Sequence, residues 1–366
     1  MKWIQNSNLA KLVAFFVIAV VMICTVSFAV NGWQSFTDND IPAEDQSNKP
    51  NEDNTVELPS EDIEVVLPTP MYFHPITGME TTLEKSTVKP LCFVFSSSDP
   101  LYGISSSYLT IELPTEYGNT RLLCFTDDAK TLGKIGSLAA TRGYISNLAK
   151  YFGGVLLSYG CDDAVEYTYD APTSHLDFLA NVGYCYSEYN SFVYSNGDLI
   201  NAFLTNEGVN QSINESMTLP YSFPEYGSEI ALTGGSAVNI SVSFSDNNST
   251  QITYSSNDKC YLFSKNSTAK TDLLNDKQIK YDNVLILFAN STTHESEDNT
   301  QMVLDTYTSG SGIYAFGGQY VSVTWQRDAS GDLVFLNQDG ERLSINRGSI
   351  YIGFVKSSLR PSVKVS

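Results

Sequence analysis

The chain has 366 residues, with 41 acidic side chains against 21 basic ones and a formal charge of −20. So acidic a chain repels phosphate backbones and anionic headgroups, which excludes nucleic acid as an expected partner. Only three histidines occur, none in an HxxxH or HxH pattern, so neither a histidine metal site nor a cofactor is expected.

Residues 1–11 form a short leading segment, and Leu12–Val30 follows as 19 residues without a charge. A helix needs about 20 such residues to cross a bilayer. Lys2 and Lys11 precede the run and the next basic residue is Lys49. Positive charge stays on the cytoplasmic side, so residues 31–366 are expected to be extracytoplasmic, held by a single-pass anchor at 12–30 in the cell membrane. The alternative is a signal peptide cleaved after Ser27-Phe28-Ala29. Lipidation at Cys24 is set aside, because Ile23 stands where a lipoprotein signal needs a small residue.

Residues 31–70 read as an acidic linker. Between Thr37 and Glu64 there are ten acidic residues and one lysine, with prolines at 42, 50 and 59. Such a stretch buries too little apolar surface to offset its ordering entropy, and it is expected to act as a disordered, self-repelling tether. Removing +2 before the apolar run and −9 in the linker from −20 leaves −13 on residues 71–366.

From 71 to 215 predicted strands alternate with helices. The strands are 91–96, 108–113, 120–126 and 155–159; the helices are 138–152, stopped by Gly153-Gly154, then 175–182 and 199–205. Ser174 and Asp177 resemble a capping box for the second helix, and Asp198 is placed to cap the third. Residues 206–222 read as a seam. From 223 to 366 the pattern is almost wholly β, with period-two alternation at 239–245 and 319–325. Further runs are 252–255, 260–264, 284–288, 312–316, 333–336 and 350–355, the last four read as an antiparallel meander. The expected fold is therefore α+β: a layered α/β amino-terminal half and a mainly antiparallel β carboxyl-terminal half, preceded by one transmembrane helix.

The 22 tyrosines and 19 phenylalanines suit cross-strand packing, or else an aromatic surface for sugars or peptides. Five cysteines lie beyond the apolar run, an odd number without CxxC spacing. Cys92 and Cys124 fall inside strand-like runs and read as buried thiols. His74 reads as a turn residue, and His294 as part of a polar loop over 291–300. Ser256-Asn-Asp-Lys259 matches SxxK by letters, but it sits between two strands, whereas that chemistry needs both side chains on one helix face. No GxSxG is present to carry a serine nucleophile. Asp127-Asp128 and Asp162-Asp163 each follow a predicted strand; adjacent loop carboxylates are usually solvated, and an acid–base pair is the sharper reading.

His74-Pro-Ile-Thr-Gly78, followed by Leu101–Glu112 with Gly103, Ser105 and Glu112, resembles in order the NPLTG and QSGLSKADIVYE motifs of the YerB-like family of bacterial lipoprotein-type proteins of unknown function. Gly118–Leu123 resembles GGITRL, and Ile135–Tyr144 resembles IGPIRSTRDY. Asn283-Val284 matches its NV strand, and Gly312–Arg327 its glycine-rich hairpin. The resemblance implies a cell-envelope protein with an α+β amino half and a β-rich carboxyl half, and no established activity. The chain departs from the pattern at Ala139, where the family has arginine, and at Ser158, where it has the histidine of VHxGG. The family's PHNLY is replaced around Asn196–Ile200.

That context draws out Glu112, Arg121 and Arg142, with Asp162 as a fourth candidate ligand-binding residue. Two arrangements are open for them: a buried arginine–carboxylate pair, or an anion-binding pocket. The expected function is a membrane-anchored binding or interaction module of the envelope, without catalysis, that meets wall polymer or envelope proteins. The alternative is a hydrolase or transferase acting on envelope substrates.

Overall fold

Period-two alternation along unusually apolar strands decides the architecture. The computed structural model describes residues 70–161, 175–188, 191–213, 218–295 and 300–366. The apolar run at 12–30, the linker up to residue 69 and Asp162 lie outside the described residues. No helix among the described residues is long and apolar enough to cross a membrane.

In chain order the main elements begin with β1 (Leu91–Ser96), β2 (Leu109–Pro114), β3 (Thr120–Thr126) and β4 (Ile135–Leu138). Helix α1 (Gly143–Tyr151) follows, then β5 (Val155–Ser158), β6 (His175–Asp177), β7 (Val193–Ser195) and α2 (Gly197–Asn206). The carboxyl-terminal half holds β8 (Asn239–Ser245), β9 (Asn248–Ser255), β10 (Cys260–Lys265), β11 (Asn283–Ala289), β12 (Ser309–Phe316), β13 (Gln319–Arg327), β14 (Leu333–Leu336) and β15 (Ile350–Lys356). The protein is mostly β, and its carboxyl-terminal half is mainly antiparallel.

One large sheet runs in the order β13-β12-β11-β15-β2-β3-β1-β4-β7, with β14 beside β13, and β5 bridging β1 to β6. Strands from both sides of residues 206–222 share it, because β15 pairs in parallel with β11 on one side and with β2 on the other. A smaller sheet of β8, β9 and β10 lies on one face.

Alternate residues of each central strand feed two cores. Leu91, Phe93 and Phe95 of β1, Leu122 of β3, and Val284 and Ile286 of β11 join Ile240, Ile252 and Phe263 of the smaller sheet, together with Ile200 and Phe203 of α2. Cys92 and Val94, Leu123 and Phe125, and Leu285 and Leu287 point to the other face, against Tyr144, Ile145 and Leu148 of α1. A strand buried on both faces has no polar positions to spare, which is why β11 reads Asn-Val-Leu-Ile-Leu-Phe-Ala without alternation. Each large apolar side chain removed from water there contributes about 1.5–3 kcal/mol. Gly154, after α1, lets β5 approach β1: a Cβ at that position would lie 1.9 Å from Cys92 Sγ.

Several sequence expectations change. The helix predicted over 138–152 begins only at Gly143; Ile135–Leu138 is β4, paired with Phe95 and with β7. The helix predicted over 175–182 is absent, and His175–Asp177 is β6, drawn into parallel pairing with β5 as Leu176 enters the core. Asn196, not Asp198, caps α2, its side chain accepting from Leu199 N–H. Residues 291–295, inside the predicted polar loop over 291–300, pair with 300–304 as a hairpin. β15 leaves the predicted meander: β12, β13 and β14 form one, while β15 returns to the middle of the sheet.

Candidate anion-binding site

Glu112 comes from the middle of β2, and its residue is fully buried. Its Oε1 accepts from Lys265 Nζ at 2.5 Å and Thr120 Oγ1 at 2.6 Å. Its Oε2 accepts from Thr250 Oγ1 at 2.8 Å and Tyr351 Oη at 2.6 Å. Lys265 spends its other two protons on Thr120 Oγ1 and Thr250 Oγ1, at 3.1 and 3.0 Å. Burial pushes the Glu112 carboxyl up, but Lys265 and the hydroxyl donors outweigh it and hold the group below the ordinary 4.5. All three ammonium donors and both carboxylate oxygens are therefore committed within the protein. The network ties β2 and β3 to β9 and β10 of the smaller sheet and to β15; it fixes the packing and has no capacity left for a ligand.

Arg142 lies just before α1. Its Nε and Nη2 donate to Glu116 at 3.1 and 2.9 Å, a bidentate pair, and Glu116 Oε1 also accepts from Met302 N–H at 3.2 Å. Burial raises the Glu116 carboxyl and these donors lower it further, leaving it below 4.5. The arginine–carboxylate pair expected from the sequence thus exists, with Glu116 rather than Glu112 as its acid.

Arg121, on β3 opposite Ser96, is different. Among the described residues its only hydrogen bond runs from Nη1 to Thr120 O at 3.5 Å, and its buried Nε has no partner. It forms no salt bridge with any described carboxylate. Burial and then the nearby charge of Arg142 depress its pKa, while Asp99 and Glu116 pull it back. The residue as a whole is partly buried, and its unbonded Nε–H carries a desolvation cost that a bound acceptor would offset. Of the four sequence candidates, the structure brings Arg121 and Arg142 together, assigns Glu112 elsewhere, and does not describe Asp162.

The remaining candidates have other partners. His74 accepts two backbone N–H groups at Nδ1, and its Nε2 lies 3.0 Å from Asp127 Oδ2. Asp127 also accepts from Tyr108, whereas Asp128 forms an exposed pair with Lys85, so the two adjacent acids do not converge. Ser158 Oγ lies 2.9 Å from His175 Nε2. That hydroxyl donates to Gly160 O at 2.9 Å, so the imidazole acts as donor to it, not as base. Burial keeps His175 below its usual pKa, against the pull of Asp177. The SxxK letters carry no serine–lysine chemistry either: the Ser256–Lys259 stretch is a turn between β9 and β10. Among the described residues, no group of three or more His, Cys, Asp or Glu side chains is placed to hold a metal ion.

Sequence reasoning does not single out Lys265, Thr250 and Tyr351. A glutamate inside the otherwise uncharged, fully buried Leu109–Pro114 is the signal that demands such partners, but it does not say where in the chain they lie.

These features define a mostly β protein whose two halves share one sheet, with Arg121 and Arg142 near each other at the start of β3. Residues 240–352 match the family model described as the C-terminal domain of a protein of unknown function (DUF3048). The solved structure of YerB protein from Bacillus subtilis is similar at a TM-score of 0.68 and 20% identity, over 80% of this chain and 99% of that one. At that identity the likeness is one of fold. No curated protein matches the chain. Residues 240–352 thus resemble a domain family of no known function, and the fold is similar to that of the YerB protein.

Proposed function

We propose that this chain is a membrane-anchored, extracytoplasmic protein of the bacterial envelope that binds an anionic group at Arg121 without catalysing a reaction. The observation that carries the binding reading is the Arg121 guanidinium: partly buried, its Nε without a partner among the described residues, and beside a second arginine whose own carboxylate is supplied by Glu116. A phosphate or carboxylate group of a wall polymer or envelope protein supplies the missing counter-charge. The apolar run at 12–30 and the acidic linker support the placement, with the linker holding the β-rich body away from the bilayer.

The net charge of the body weighs against an anionic ligand, but at physiological salt exposed charges beyond about 8 Å are largely screened. The local field at Arg121 and Arg142 therefore decides. A hydrolase or transferase has its strongest contact in Ser158–His175. That serine is fully buried and its proton is committed to Gly160 O, which counts against a nucleophile.

Calorimetric titration of the full chain in non-ionic detergent with inorganic phosphate tests the site. Saturable binding is expected, lost in Arg121→Met with little change in melting temperature. Equal heats from wild type and variant would refute it. Resistance to a carbonate wash tests the anchor; release into the wash would refute that part.

A further inference from the structure

Gly136 sits in β4 between two tyrosines. Tyr102 pairs with it on one side, and Tyr194 of β7 pairs with it on the other, both antiparallel. Register partners share a face of the sheet, and glycine puts no side chain between them. A Cβ at Gly136 would lie 2.7 Å from Tyr194 Cδ1, so the close approach needs the glycine. The Tyr102 and Tyr194 rings meet edge to face, with centroids 5.5 Å apart. Tyr186, paired with Tyr194 in the register, adds a third ring at 6.2 Å from it. Backbone hydrogen bonds run in both directions between Tyr102 and Gly136 and hold the cluster in place.

Lys134 stands just before β4, two positions from Gly136, and its head lies between the rings. Its Nζ is 4.0 Å from the centre of the Tyr102 ring and 3.9 Å from that of Tyr194. The same Nζ donates to Glu188 Oε2 at 2.5 Å. Two aromatic faces and a carboxylate around an ammonium are the parts from which proteins build sites for cationic ligands. The lysine head is held there without being locked in. The Glu188 side chain is 44% exposed, and an ion pair that open to water is worth little. The lysine stem is long and unbranched, and no atom lies within 4 Å of a Cβ placed on neighbouring Gly133, so space is open beside it.

We propose that Tyr102, Tyr194 and Glu188 form a binding site for a primary alkylammonium group, with Lys134 as a built-in competitor that fills the site until an external amine displaces it. Glu188 sets the choice of a primary amine: its carboxylate accepts a hydrogen bond from the ammonium, and a quaternary nitrogen has none to donate. The acidic balance of the body draws cations towards it, in keeping with such a ligand. The site shares no residue with Arg121, so the two readings stand or fall separately. Self-occupancy lowers the apparent affinity by the fraction of time the cage is open. With the cage open about one-tenth of the time, removing the competitor strengthens binding about tenfold.

The test is calorimetry on the full chain in non-ionic detergent with butylammonium chloride, and with tetramethylammonium chloride and sodium chloride as controls. Butylammonium is expected to bind Lys134→Ala saturably and about tenfold more tightly than it binds wild type. Tetramethylammonium is expected to bind more weakly, and sodium to give only ionic-strength heats. Adding Tyr102→Leu to Lys134→Ala is expected to abolish binding, with melting curves to show that the variant is folded. Adding Glu188→Gln instead, at an exposed position, is expected to weaken butylammonium severalfold without disturbing the core. No saturable binding to Lys134→Ala, equal affinity in wild type and Lys134→Ala, or binding unchanged by both added substitutions would overturn the proposal. Tetramethylammonium binding as tightly as butylammonium would overturn the assignment to a primary amine.

Discussion

Replacing Lys265 by methionine separates a structural ion pair from a ligand site. The substitution keeps an unbranched apolar stem of similar length and removes the ammonium. Glu112 then retains three hydroxyl donors in a fully buried site but loses its counter-charge. Removing one partner of a buried ion pair typically costs about 3–5 kcal/mol. That is a large fraction of the roughly 5–15 kcal/mol that stabilises a folded domain. With a urea dependence of about 3 kcal/mol per molar, the unfolding midpoint should fall by roughly 1–1.7 M. Glu112→Leu combined with Lys265→Met removes both charges and should recover part of the loss, because a buried pair replaced by apolar groups is often nearly neutral. Urea unfolding followed by tryptophan fluorescence reads this directly, since Trp325 is fully buried. A loss below about 1 kcal/mol for Lys265→Met would refute the reasoning, because the pair would then be exchanging freely with water.

Other consequences follow from the same contacts. Arg142→Ala breaks the bidentate pair and strands the buried Glu116, so thermal stability should drop by about 1–3 kcal/mol, in contrast to Arg121→Met; an unchanged melting temperature would show the pair to be idle. Glu112 and Glu116 are both held below 4.5 in the fold, so their stabilisation is present above that value and is lost as pH falls through their lower folded values. Melting temperature should therefore decline below about pH 4.5, and less steeply in Glu116→Gln; a parallel decline in that variant would contradict the assignment. Gly154→Ala should destabilise by about 1–3 kcal/mol through the clash with Cys92 Sγ, and Cys92→Ala should relieve part of it; no effect in urea unfolding would mean β5 does not approach β1 so closely.

Strands bounded by turn residues are legible in the sequence. β1, β3, β8 and β14 fall on the predicted bounds, because in each an apolar or alternating run ends at polar or glycine-rich chain. The failures share a cause: tertiary pairing overrides local pattern. Leu138 opens the predicted helix, yet contact with Phe95 and β7 makes it the end of a strand. Ser174 and Asp177 have the letters of a capping box, but Asp177 instead accepts from Gly160 N–H and Leu179 N–H, holding the turns at the ends of β5 and β6. β15 reads as the next hairpin strand, and only its lack of alternation hints at burial on both faces in the middle of a sheet.

The site divides in the same way. Arg121 and Arg142 are recognisable from motif context, and the structure places them together. Glu112 comes with them by proximity in sequence, but its partner Lys265 lies 153 residues further on, in a strand where a lysine looks like an ordinary surface residue. Glu116, the acid that Arg142 holds, sits in the short turn between β2 and β3, where a glutamate is unremarkable. Charge pairing across the fold, unlike strand period, leaves no local trace.

The central claim is that Arg121 is an anion-binding group awaiting its counter-charge. Its Nε–H resonance, observed in the full chain with labelled arginine and assigned by its loss in Arg121→Met, reports on that atom directly. On addition of inorganic phosphate the account predicts a saturable shift of this resonance, while that of Arg327, whose Nε–H bonds the Thr306 carbonyl, stays in place. No shift at Arg121, or an equal unsaturable drift of all arginine resonances, would contradict it.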